Sequence, residues 1–168
     1  MKKISLLISL FILISLSSKA QIPKLQSIFI YNFTKYIEWP ASYKSGDFTI
    51  GVIGQTPLTK ELNNLAKSKK AGSQTISIKK FNKVSEIDKC NILFIPKNKS
   101  NELSNILNKL NGKSTLIITE KKGMAKQGAG INFVIVNNKQ KFELNKANIT
   151  KYKLKISPSL INLAIIIK

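Results

Sequence analysis

Between residues 48 and 118 the chain alternates short β-branched runs with stretches of helical periodicity, and this alternation limits the available folds more than any other feature. Phe48 to Ile53 (FTIGVI), Thr75 to Ile78, Ile92 to Ile95 and Thr115 to Ile118 have the composition of strands. Thr56 to Lys67 and Lys99 to Leu110 have helical patterns, the first with Thr56 as a cap and Pro57 at the favoured opening position. Such an order argues for a parallel or mostly parallel sheet covered by helices. Further on, Ile131 to Val136 and Gln140 to Leu144 flank Asn137-Asn138-Lys139, a tight hairpin signal. The expected class is α/β, a three-layer sandwich with a mostly parallel central sheet ending in an antiparallel hairpin and helices on both faces.

The chain closes on Ser157-Pro158-Ser159 followed by LINLAIIIK. Ser157 can cap and Pro158 can open a helix that is apolar almost all round except at Asn162. About eleven residues at ~1.5 Å each cannot cross a ~30 Å hydrocarbon layer. This helix is therefore expected to be buried, in its own core or against a partner subunit.

A chain of 168 residues suits one domain with a real core. Residues 1–20 are set apart as an export signal. Lys2 and Lys3 start it, Ile4 to Leu16 is apolar apart from three serines, and Ser18-Lys19-Ala20 offers a cleavage site. Gln21 rather than Cys follows, which excludes a lipoprotein anchor. Residues 21–168 are expected to form a single exported domain.

The net charge is +20, or +17 without Lys2, Lys3 and Lys19 (25 lysines against 8 acidic residues). Every basic residue is Lys, although Arg is the side chain whose fork grips phosphates and base edges. No specific nucleic acid is expected, and the lysines fit a solvated face in a chain of AT-biased codon usage. The absence of His removes the usual general base, and with Cys90 as the single cysteine an ordinary zinc or iron site cannot be built. Cys90 itself fits a small buried hydrophobe at the start of CNILFIP, with crosslinking of two chains as the functional alternative. GVIGQTPL follows a strand as a nucleotide-binding turn would, yet it lacks the third glycine of a dinucleotide fingerprint and the Gly-Lys-Ser/Thr of a P-loop. No enzyme and no cofactor are expected.

The stretch YNFTKYIEWP, residues 31–40, is aromatic and ends on Trp39-Pro40, which stops a helix because the residue before proline is pushed out of the α region. On a helical wheel Leu25, Phe29, Phe33, Tyr36 and Ile37 share one face, with Ile28 at its edge, and this face is the expected core stripe. Tyr31 falls on the opposite face with Lys24, Ser27, Thr34, Lys35 and Glu38. Tyr31, Lys35 and Trp39 are the candidate partner-binding residues, since Tyr and Trp are favoured interface anchors.

Five stretches in the same order, YNFTKYIEWP, FTIGVIGQTPL, CNILFIP, GMAKQGAGINFVIVNNKQKFELN and LKISPSLINLA, resemble the YfiR family of exported bacterial signalling regulators. The resemblance runs from about Ile28 to the end. It implies a periplasmic α/β protein, often a homodimer, that acts by binding a membrane signalling protein with a periplasmic sensor segment. In one branch the target is a diguanylate cyclase of cyclic-di-GMP signalling; in others it includes sensor kinases. That branch also uses cysteine pairs in redox control, and Cys90 alone cannot supply one. A periplasmic small-ligand module is the second expectation, with a pocket near Gly54 to Thr56 and Pro96 to Lys99 at the carboxyl ends of the strands.

The export signal gives a direct measurement. Material released by osmotic shock should have the intact mass of a chain beginning at Gln21, and a species in the membrane fraction still carrying residues 1–20 would overturn the assignment.

Overall fold

The computed structural model describes residues 21–168. The expected export signal lies outside the described residues. Helix α1 covers residues 21–36 and passes into a short strand β1, Ile37–Glu38. Then follow β2 (Phe48–Ile53), α2 (Leu58–Ala66), β3 (Lys70–Ala71), β4 (Gln74–Phe81), β5 (Ile92–Ile95), α3 (Leu103–Lys109) and β6 (Leu116–Thr119). The chain ends with β7 (Ile131–Val136), β8 (Lys139–Asn145), α4 (Lys146–Lys151), β9 (Lys155–Ile156), α5 (Pro158–Leu163) and β10 (Ile165–Ile167).

The sheet has the order β10-β8-β7-β6-β5-β2-β4-β3. It is parallel from β4 across to β7, and antiparallel at β3–β4 and β7–β8. The expected α/β class is therefore present. Every residue of β2, β5 and β6 is buried, as unbroken apolar runs are when both faces of a parallel sheet are covered. At the hairpin, Asn137 and Asn138 have φ of 50° and 58°, the two left-handed positions of a two-residue loop whose twist matches the strands. In α2 the helix proper starts at Leu58, and Thr56 Oγ1 accepts from the Leu58 N–H at 3.3 Å.

The closing segment departs from expectation. Ser157 Oγ does accept from the Leu160 N–H at 3.3 Å and Pro158 opens α5, but the helix stops at Leu163. Ile165–Ile167 instead pair in parallel with Glu143–Asn145 as an edge strand, leaving Leu163 and Ile166 exposed. Three consecutive β-branched side chains favour the extended form, and β8 offers open backbone groups to pair with.

Two features fix the sheet. At the amino ends of the strands, Asn91 Oδ1 accepts from the Thr49 N–H at 2.9 Å and Asn91 Nδ2 donates to the Tyr43 carbonyl at 3.2 Å. The Asn91 carbonyl takes the Trp39 indole N–H at 3.0 Å and the Leu116 N–H at 2.8 Å. In the middle of β2, a Cβ on Gly51 would stand 2.7 Å from Cε2 of Phe81 and 3.1 Å from Leu93, so the Phe81 ring occupies the space a side chain would need.

Helix α1 lies on the β7–β8 hairpin through an aromatic cluster. The Phe33 ring is 5.1 Å from Phe142, edge-on, and 6.2 Å from Phe133, stacked; Phe29 adds contacts to the same two rings. Phe33 is fully buried at their centre. Phe33→Ala should therefore destabilise the fold by roughly 3–5 kcal/mol by opening a cavity, as measured in a urea titration. A loss below about 1 kcal/mol would show that the cluster does not hold α1 in place.

Candidate functional site

The site is built on α1, whose buried face is rotated by roughly one residue from the expected stripe. Gln26, Ser27, Ile30 and Phe33 are buried and Ile37 follows them in β1. Phe29 and Tyr36 are half-buried, while Leu25 and Ile28 are 40% and 44% exposed. The buried polar side chains are satisfied: Gln26 Nε2 donates to Glu120 Oε2 at 3.1 Å, and Ser27 Oγ donates to the Lys24 carbonyl at 2.7 Å. Hydropathy alone does not reveal this, because the groups that α1 meets, among them Phe133, Phe142 and Glu120, are distant in sequence.

Of the three candidate partner residues, two lie together. Lys35 Nζ sits 4.4 Å from the centroid of the Tyr31 ring, a cation–π contact across one turn. Lys35 is exposed and Tyr31 half-buried, its ring resting on the margin of the core. Trp39 is different, and its assignment to a partner surface is corrected. It is 5% exposed, packs edge-on against Phe48 with centroids 4.9 Å apart, and spends its N–H on Asn91. The helix ends at Tyr36 and Ile37–Glu38 are already extended, so Trp39 lies off the helical path with its indole inward, where the residue fastens the fold. The outer face of α1 is thus Lys24, Leu25, Ile28 and Lys35, an aliphatic pair between two lysines.

The amino end of α1 borders a cleft of about 820 Å³ at the carboxyl ends of the parallel strands. It arises because β6 stops at Thr119 while β7 continues to Val136, and only Ile118↔Ile131 and Thr119↔Asn132 pair across them. Gln26, Lys97, Glu120, Lys121, Lys122 and Ile135 are among its walls. The Glu120 carboxylate holds the rim together, accepting from Gln26 and, at 3.0 Å, from the Lys97 N–H. A second chain of hydrogen bonds runs through the sheet: Thr119 Oγ1 donates to Asn132 Oδ1 at 2.7 Å, and Asn132 Nδ2 donates to Glu143 Oε2 at 2.8 Å. Glu143 then faces the cleft from a fixed position. The pocket expected near Gly54 to Thr56 lies elsewhere, since the Lys99 stem covers Gly54, with Cγ 3.1 Å from where a Cβ would be. Lys97 is the expected element that the cleft keeps.

Chemically, this surface offers aliphatic contact, open strand backbone and positive charge. Lys44–Glu38 at 3.0 Å is the one ion pair among the described residues. Among those residues no group of three or more His, Cys, Asp or Glu side chains comes together. No described helix is long and apolar enough to cross a membrane.

Comparison with known proteins agrees with this architecture. A family model described as DUF4154, YfiR/HmsC-like, matches residues 23–165. No curated protein sequence matches significantly. Among solved structures the chain is similar to the ABC domain in complex with L-Trp from Streptococcus pneumonia, with a TM-score of 0.52 and 12% identity. That likeness covers 71% of this chain and 55% of the other, and it is a likeness of fold.

Cys90 stands apart from the cleft. It is buried below β5, and burial pushes its thiol up to about 12 from the usual 9.0, outweighing the hydrogen bond with Thr115 that favours the thiolate. Any stability tied to this group is fully present below pH 9 and declines as pH rises toward 12, because the unfolded thiol ionises first. Since the thiolate is the reactive form, iodoacetamide at pH 8 should leave Cys90 unmodified in the folded protein and label it only with denaturant. Fast labelling of the native state, or a disulfide-linked dimer on a non-reducing gel, would contradict this.

Proposed function

The chain belongs to the YfiR/HmsC-like family, whose members are periplasmic regulators of cyclic-di-GMP signalling, and on that premise we propose that it docks on a membrane-bound signalling enzyme. The target is the extracytoplasmic sensor region of a diguanylate cyclase or a sensor kinase. Regulation requires that the protein bind one of two receptor states more tightly, because equal affinity for both shifts nothing. The observation that supports this reading best is the outer face of α1. Leu25 and Ile28 are exposed there between Lys24 and Lys35, with the Tyr31 ring beneath the Lys35 ammonium. Aliphatic and aromatic surface beside a charge that can be neutralised on contact is the composition of a protein interface.

A small-ligand module is the second reading, favoured by the size of the cleft, which lies within the ~300–1,000 Å³ range of ligand pockets. The similar S. pneumonia protein is one that holds L-Trp. A ligand in this chain's cleft would touch Lys121 and Lys122 and leave Tyr31 and Lys35 uninvolved.

The two readings separate on α1. Lys35→Glu should change stability by no more than about 0.5 kcal/mol, being a surface substitution, and Tyr31→Ala by about 1 kcal/mol, its ring being half-buried. Each should abolish regulation when cellular cyclic-di-GMP or kinase output is measured in a strain carrying the variant. Unchanged output with both variants would remove α1 from the docking surface, and a stability loss of several kcal/mol from Tyr31→Ala would make that residue part of the core.

A further inference from the structure

Beyond Asn132, β7 has β8 on one side and the cleft on the other. The four residues Phe133 to Val136 have no strand beside them on that second side, since the pairing with β6 ends at Thr119↔Asn132. In a strand, alternate residues turn their N–H and C=O to opposite edges; the hairpin register turns those of Val134 and Val136 to β8, so Phe133 and Ile135 are the residues whose backbone faces the cleft. We propose that the free edge of β7 receives an extended, acidic segment of a partner protein as an added strand.

Three observations set the chemistry of the occupant. The edge is apolar and accessible, with Ile135 53% exposed and Val134 and Val136 half-buried, so a strand laid along it would cover side chains as well as pair backbone. The rim carries Lys97, Lys121 and Lys122, all exposed, against two carboxylates: Glu120, occupied by Gln26 and the Lys97 N–H, and Glu143, which accepts from Asn132. The remaining positive potential calls for carboxylates on the incoming segment. A second copy of this chain fits poorly, because edge-to-edge pairing would bring two such lysine rims together on molecules already bearing +17 each, the chain's 25 lysines from residue 21 onward set against its 8 acidic residues. The inference names a mode of contact for the docking function proposed above, and so rests on it, but its test needs no partner.

The probes are fluorescein-labelled octapeptides: alternating Glu-Val, the same peptide with a central proline, and alternating Lys-Val. Fluorescence anisotropy with the mature protein at low salt should show binding of the Glu-Val peptide, weakened at least tenfold by the proline and by the change to lysine. Amide hydrogen exchange should slow at Phe133 and Ile135 when it binds. The double variant Lys121→Glu, Lys122→Glu should weaken binding at least tenfold at an unchanged melting temperature and should impair regulation in the cell. No binding by any peptide, equal binding of the proline peptide, protection only elsewhere, or a concentration-dependent dimer that protects Phe133 and Ile135 without peptide would each overturn the proposal. If the peptides fail while Lys35→Glu still abolishes regulation, strand addition falls and docking through α1 stands. If the Glu-Val peptide binds but the double lysine variant regulates normally, the β7 edge is not the docking route.

Discussion

Asn91, buried at the foot of the sheet, ties together four separate pieces of chain through its side chain and its backbone carbonyl. Its side-chain amide bonds Thr49 at the start of β2 and Tyr43 in the connection before it, while its backbone carbonyl takes the Trp39 indole and the Leu116 N–H. Each of these groups is shut away from water, where an unmade hydrogen bond costs about 1–3 kcal/mol. The arrangement brings β2, β5 and β6 to a common level at their amino ends. It also explains why Trp39 points inward: the indole supplies a donor that the Asn91 carbonyl can take where water cannot reach.

β7 starts opposite Ile118, near the end of β6, so its last four residues stand beyond Thr119, and a cleft opens beside them. Helix α1 spans from one end to the other. Its carboxyl end runs into the Trp39 anchorage, its middle is clamped by Phe33 among the hairpin phenylalanines, and its amino end reaches the cleft through Gln26. The side of the helix turned away from the sheet is left to solvent or to a partner. Rigid packing below and open surface above is an arrangement suited to presenting a contact face without deforming it.

The sheet was legible in the sequence because its strands are dense in Ile, Val and Phe, and the hairpin because two successive asparagines tolerate the left-handed backbone it requires. The face of α1 was not. Leu25 and Ile28 look like core and Gln26 and Ser27 like surface, and the order is the reverse, with Gln26 bonded to a residue on a distant loop and Ser27 to its own helix. The tail departs from its hydropathy for a related reason: the pairing that draws Ile165–Ile167 into a strand is with β8, and hydropathy does not show which partner an apolar run will find. Of the candidate site, Tyr31 and Lys35 follow from helical spacing alone, whereas the cleft depends on the offset register of β7 against β6, which appears only once the two lie side by side.

Gly51 has a consequence for how the sheet can assemble. Its missing side chain leaves a notch on the face of β2 where the Phe81 ring lies, one strand over, with Phe81 itself paired to Ile53. If β4 slipped by two residues against β2, the ring would be driven onto Thr49 or Ile53, which carry branched side chains on that face; a slip of one would send every side chain of β4 to the opposite face. A residue that weakens strands elsewhere here acts as a key for its neighbour, and a mispaired chain meets a collision.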